Sequence, residues 1–212
     1  GVVSTADAIE KAGMTPVGVY THESRDKASL LIKEVNGIKV AILAYSYGFN
    51  GIEQSISQED YNRYLSDLDE DKMKAEIERA EKEADITIIM PQMGVEYQIE
   101  PTEEQKKLYH KMIDWGADII FGGHPHVVEP AETVEKDGDK KLIIYSMGNF
   151  ISNQRIETMQ DVENAKWTER GVLMDVTIKK KSGKTTIETA QAHPSWVSRT
   201  PKGGYSPEGY PL

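Results

Sequence analysis

Residues 114–126, DWGADIIFGGHPH, decide how the rest of the chain is read. The stretch predicts a helix end at Asp114-Trp115-Gly116, a short apolar strand at Ile119-Ile120-Phe121, and then two glycines ahead of two histidines separated by one proline. Side chains able to do chemistry thus follow the C-terminal end of a strand, the edge of an open α/β sheet where ligand sites form. Pro125 fixes φ, and Gly122 and Gly123 are expected to take backbone conformations that a Cβ forbids, so that His124 and His126 aim together. Neutral imidazole is a common ligand of zinc and transition metals. The H-x-H pattern alone leaves two readings open, a ligand pair and a merely polar turn.

The 212 residues suffice for one domain with a sizeable core. A composition of 28% charged and 38% hydrophobic residues suits a folded globular chain, not a disordered one. Lys plus Arg number 25 against 35 Asp plus Glu, a formal net charge of −10. No basic stripe follows a phosphate backbone, so nucleic acid is not an expected partner. A polyanionic substrate is repelled at long range unless a metal or a local basic patch reverses the field. The absence of cysteine excludes disulfides and thiolate metal sites. No apolar run approaches the length of a spanning helix, and no signal segment opens the chain.

Taken in order, residues 1–12 predict a helix stopped by Gly13, and residues 14–20 a short strand. Runs at 29–35 and 38–45 flank Asn36-Gly37, the dipeptide that most strongly signals a hairpin. The second run is apolar on both faces, as in a strand covered on both sides. Residues 47–71 are polar and dotted with tyrosine, and read as a surface excursion. Met73, Ile77, Ala80 and Ala84 form the buried stripe of a helix, with Lys72, Glu76, Arg79 and Lys82 facing water. Residues 86–90 give a buried strand, left by the loop PQMGVEY at 91–97. Pro101-Thr102-Glu103-Glu104-Gln105 spells a capping box, Gln105 reaching back to the helix start, and His110 on that helix reads as an ordinary surface residue. A second hairpin with a slightly longer connection is predicted around Asp137-Gly138, then the turn YSMGNF at 145–150, then strands at 171–179 and 185–193 joined by the turn Lys181-Ser182-Gly183. Residues 200–212 are expected to be an extended tail.

Three post-strand segments, PQMGVEY, GADIIFGGHPHV and YSMGNF, resemble in order and spacing the CapA/PgsA family of bacterial poly-γ-glutamate capsule proteins. The resemblance implies an α/β fold, a layered α/β/β/α sandwich similar to calcineurin-like metallophosphoesterases, over residues 1–199. It also implies that the family's N-terminal part, with further acidic and asparagine motifs, is absent, so that the chain begins partway through a β/α alternation. An exposed sheet edge is then expected to pair chains into an oligomer.

Under the resemblance, His124 and His126 match two histidine ligands of a dinuclear metal centre holding zinc, manganese or iron in the full-length protein, where the metals activate water and clamp a phosphate. The histidine that opens the family's first motif is Gln92 here, and its tryptophan is Met93, so a ligand is replaced by a neutral amide that makes hydrogen bonds only. Glu96 is then an orienting group or a general base. Asn149 is either a site amide or a cap on its own turn. With two imidazoles and no upstream carboxylates, this chain is expected to lack a complete centre. The implied function is synthesis, attachment or export of poly-γ-glutamate outside the membrane, with the polymer or its precursor and membrane-bound synthesis proteins as partners, and an anchor supplied by a segment absent from this chain. A metal-dependent hydrolase and a non-catalytic polymer-binding module are the other readings.

Overall fold

The structure, a computed structural model, describes residues 1–197; the expected tail at 200–212 and the end of the 1–199 domain lie outside the described residues. The chain is α/β, as the sequence predicts. Its described part divides into two compact units, residues 1–92 with 112–119, and residues 93–111 with 120–197.

The first unit opens with α1 (Val2–Lys11), followed by β1 (Leu31–Val35) and β2 (Ile38–Ser46). These strands pair antiparallel across Asn36-Gly37, whose positive φ angles of 52° and 78° are those of a two-residue hairpin turn. Residues 14–20 form no strand. Val19 makes an isolated bridge to Leu65, and the Tyr20 N–H donates to the Tyr64 carbonyl, so an apolar run satisfies its backbone piecemeal. The surface excursion contains α2 (Gln58–Tyr64), capped by the Ser57 hydroxyl and burying none of its residues. Next come α3 (Glu70–Glu83), capped by the Asp69 carboxylate, and β3 (Ile86–Gln92), which pairs parallel to β2. Met73, Ile77 and Ala80 are fully buried, as the stripe predicts, whereas the fourth member, Ala84, is the half-buried C-cap residue just past the helix.

Glu76 departs from its expected solvent-facing role. Its carboxylate accepts from Arg25 Nε and a second guanidinium nitrogen at 2.8 and 3.1 Å, while Arg25 also donates to Asp67 at 2.8 Å. The Arg25 side chain is only 1% exposed. A buried guanidinium requires such a fork, and helical periodicity cannot reveal a partner that lies far off in sequence. Asp118 locks the end of this unit to β3: the Asp118 N–H donates to the Thr87 carbonyl at 2.9 Å, and the Thr87 N–H to the Asp118 carboxylate at 2.7 Å.

The chain passes between the units after Gln92, within α4 (Glu103–Trp115) and after Ile119. The strands that follow are β4 (Ile119–Phe121), β5 (Ala131–Lys136) and β6 (Asp139–Ile144), in the order β4-β6-β5. The β5–β6 turn is the two-residue Asp137-Gly138, both with positive φ, shorter than the sequence suggested. Finally, β7 (Arg170–Lys181) and β8 (Lys184–Trp196) form a separate two-stranded antiparallel ribbon, with a bulge at Thr177/Ile178.

Thr102 caps α4 as predicted, accepting from the Gln105 N–H at 3.1 Å. The Gln105 side chain does not reach back to complete the box. It is fully buried and donates to Glu129 at 2.9 Å and to the Tyr145 carbonyl at 3.1 Å. His110 is a surface residue, as expected, and its Nε2 lies 2.8 Å from the Glu132 carboxylate, which also accepts from the Tyr145 hydroxyl.

Candidate functional site

The histidine loop leaves β4 with a backbone that the glycines explain differently from the expectation. Neither Gly122 nor Gly123 has a positive φ; the histidines themselves do, His124 at 106° and His126 at 62°. An L-residue holds such angles only where its surroundings over-determine them, at a cost of about 1–3 kcal/mol each. Gly122 serves close packing instead: a Cβ there would lie 2.0 Å from the Tyr145 carbonyl oxygen. Its N–H donates to Ile144 at 2.8 Å, and its carbonyl accepts from Met147 at 3.1 Å. These bonds tie the histidine loop to the YSMGNF turn.

The loop carrying Glu96 docks on the same segment. The Met93 N–H donates to Gly123 at 3.0 Å and the Tyr97 N–H to Pro125 at 2.8 Å. Gly94, at φ 131°, passes so near that a Cβ would lie 2.8 Å from Pro125 Cγ. Three sequence-distant segments of the second unit thus converge through backbone bonds, and their side chains meet. His126 Nδ1 lies 3.0 Å from Asn149 Oδ1, and His126 Nε2 lies 3.8 Å from the Glu96 carboxylate. The His124 and His126 ring centroids are 6.2 Å apart. Burial pushes the His124 imidazole below its ordinary pKa, with His126 acting in the same sense and Glu96 against it.

Of the residues singled out in the sequence, then, Glu96, His124, His126 and Asn149 lie in one neighbourhood. Gln92 is the exposed last residue of β3 in the first unit rather than part of a loop, and its carbonyl accepts from the Tyr47 N–H at 3.0 Å. Sequence reading missed Tyr97, Gln154 and Thr168. Tyr97 stacks on His126 with centroids 5.9 Å apart, while the Asn149 amide donates to Gln154 at 3.0 Å and to the Thr168 carbonyl at 2.8 Å. Tyr97 stands within the quoted PQMGVEY stretch, whereas no local pattern marks Gln154 or Thr168. Beside the site, a cleft of about 440 Å³ is lined by residues 96–100 and 162–164, three of them glutamates. A larger cavity of about 800 Å³ in the first unit, lined by residues such as Tyr20, Leu31 and Arg79, holds none of the candidate residues.

The donor set fits a metal incompletely. Among the described residues, no group of three His, Asp or Glu side chains is arranged to hold an ion. His126 Nε2 and Glu96 face each other, but the Glu96 side chain is about half exposed and only one further imidazole stands near.

The family model described as "Bacterial capsule synthesis protein PGA_cap" matches residues 1–154, which contain all three converging loops. The chain belongs to this PGA_cap family. It is 32% identical over 155 residues to the PGA biosynthesis protein CapA of Bacillus subtilis (strain 168), covering 73% of this chain and 39% of that protein. It is also 32% identical over 158 residues to the capsule biosynthesis protein CapA of Bacillus anthracis, covering 73% and 36% respectively. The chain therefore spans little more than a third of the length of these PGA_cap relatives. Solved structures similar to it include the calcineurin-like phosphoesterase YfkN of Bacillus subtilis, at TM-score 0.48 and 14% identity over 80% of this chain and 51% of that one. Another is a putative 5'-nucleotidase of Staphylococcus aureus, at TM-score 0.47 and 13% identity over 79% and 29%.

Proposed function

We propose that this chain works in building a bacterial capsule of poly-γ-glutamate, and that the His126 neighbourhood is where polymer or precursor is handled. The observation that carries the reading is that the family match spans the three loops whose residues Glu96, His126 and Asn149 come together in the second unit. Handling takes place outside the membrane, beside membrane-bound synthesis proteins, as attachment or export of the polymer. Glutamates 96, 100 and 163 around the cleft repel the polymer's carboxylates, so its amide backbone or screening cations approach first.

The test is complementation of a capsulated strain that lacks its own family member, using the full-length protein. His126→Ala and Glu96→Gln should each lower cell-associated polymer several-fold at unchanged protein level. Undiminished polymer with both variants sinks the proposal.

A further inference from the structure

The hydrogen bonds around His126 run in one direction, and a backbone carbonyl sets that direction. The Thr168 carbonyl can only accept, so the group that faces it at 2.8 Å is the Asn149 NH₂. The same NH₂ donates to Gln154 at 3.0 Å, which makes that Gln154 atom the amide oxygen. The Gln154 nitrogen is then left to donate to the Tyr97 hydroxyl, 3.1 Å away. Flipping either amide would place donor against donor or acceptor against acceptor. On its other side Asn149 presents only an oxygen, and His126 Nδ1 lies 3.0 Å from it. That nitrogen must carry a proton.

We infer that Asn149 and Gln154 are positioning residues that give the neutral His126 ring its Nδ1–H tautomer and leave Nε2 as the nitrogen turned toward Glu96. The inference rests on reading His126 as the functional imidazole of the site. Tyr97 completes the ring: its face stacks on His126, its hydroxyl accepts from Gln154, and its backbone is tied to Pro125 and to the Asn164 amide. At 3.8 Å the Glu96 carboxylate is too far to share a hydrogen bond with Nε2. In the neutral ring the consequence is a nitrogen lone pair opposite a carboxylate, an arrangement that takes a proton or a cation. Holding an imidazole by its other ring nitrogen is a general means of fixing which atom does the chemistry.

Long-range ¹H–¹⁵N correlation of histidine-labelled protein at a pH of about 8.5, well above the ~6.5 of free imidazole, reads the tautomer directly. The His126 signal is assigned by its loss in His126→Gln. In the wild-type protein it should show the pattern of a protonated Nδ1. Asn149→Ala should convert it to the Nε2–H form or an average, and Gln154→Ala should erode it. Gln154→Glu, which still accepts from the Asn149 amide, should restore it. A wild-type His126 that is mainly Nε2–H overturns the inference, even if the variants do not fold. So does a folded Asn149→Ala protein with an unchanged signal. Because the readout needs no polymer, a correct tautomer without a capsule phenotype refutes the proposed function and leaves this inference standing.

Discussion

Glu129 offers the sharpest test of the energetics beneath the histidine loop. Its side chain is 3% exposed, and one carboxylate oxygen accepts from Gln105 at 2.9 Å, while among the described residues neither the other oxygen nor Gln105 Oε1 has a hydrogen-bond partner. Burial pushes the carboxyl up from 4.5 to about 7, against the pull of the Gln105 hydrogen bond and with Glu100 adding repulsion. Below pH ~4.5 the group is neutral in folded and unfolded chains alike and costs nothing. As pH rises toward 7 the unfolded chain releases the proton and the folded one keeps it, so stability falls. Above 7 the loss is complete, and at ~1.36 kcal/mol per pH unit it amounts to roughly 3 kcal/mol. Glu129→Gln keeps the size of the side chain and cannot ionise. Urea unfolding followed by circular dichroism should therefore give the variant an advantage of about 2–3 kcal/mol at pH 8 that shrinks to within ~0.5 kcal/mol near pH 4.5. A wild-type-minus-variant difference that stays flat across that range would mean that Glu129 ionises as a surface glutamate does, and the account of its burial would be wrong.

Three further expectations follow from the packing. Gly122→Ala should destabilise by about 3 kcal/mol, the upper end for overpacking, because the atom it meets is backbone and cannot move aside; Gly48→Ala, where a Cβ would lie 3.8 Å from a Glu53 carboxylate oxygen, is the control in the same urea titration. Arg25→Ala leaves Asp67 and Glu76 without their cation and should cost about 3–5 kcal/mol, read as a lower urea midpoint. Calorimetric titration with zinc or manganese should show no submicromolar binding by this chain, since two imidazoles and one half-exposed carboxylate balance little of the ion's charge. Tight binding that vanishes in His124→Ala would show the donor set to be complete.

What the sequence could tell depended on whether the cause of a feature was local. Asn36-Gly37, Asp137-Gly138 and Ser182-Gly183 announce their turns because positive φ at both positions is a property of those residues themselves. The α3 stripe was equally legible, since burial of Met73, Ile77 and Ala80 follows from helical spacing. Gln105 shows the opposite case. Its place in a capping box is a local rule, and it yields to a buried carboxylate and a carbonyl 24 and 40 residues away. Residues 14–20 have strand-like composition, but a strand needs a neighbour along its whole length and they have one bridge. At the site, the histidines and Asn149 stood out through their motifs. Gln154 and Thr168 did not, because a hydrogen-bond direction has no sequence period.

The β7–β8 ribbon also bears on the site, through its root rather than its length. Gly171, near the start of β7, bridges to Gly148, and a Cβ on it would lie 2.2 Å from the Asn149 carbonyl oxygen. The Val172 N–H adds a bond to Met147 at 2.9 Å. A two-stranded ribbon is marginal by itself, so amide exchange should be slowest at this root and quicken toward Ser182-Gly183. Any side chain at 171 pushes directly on the peptide that carries Asn149. Gly171 thus meets the Asn149 peptide through direct backbone contact, and the amide that faces His126 rides on that peptide.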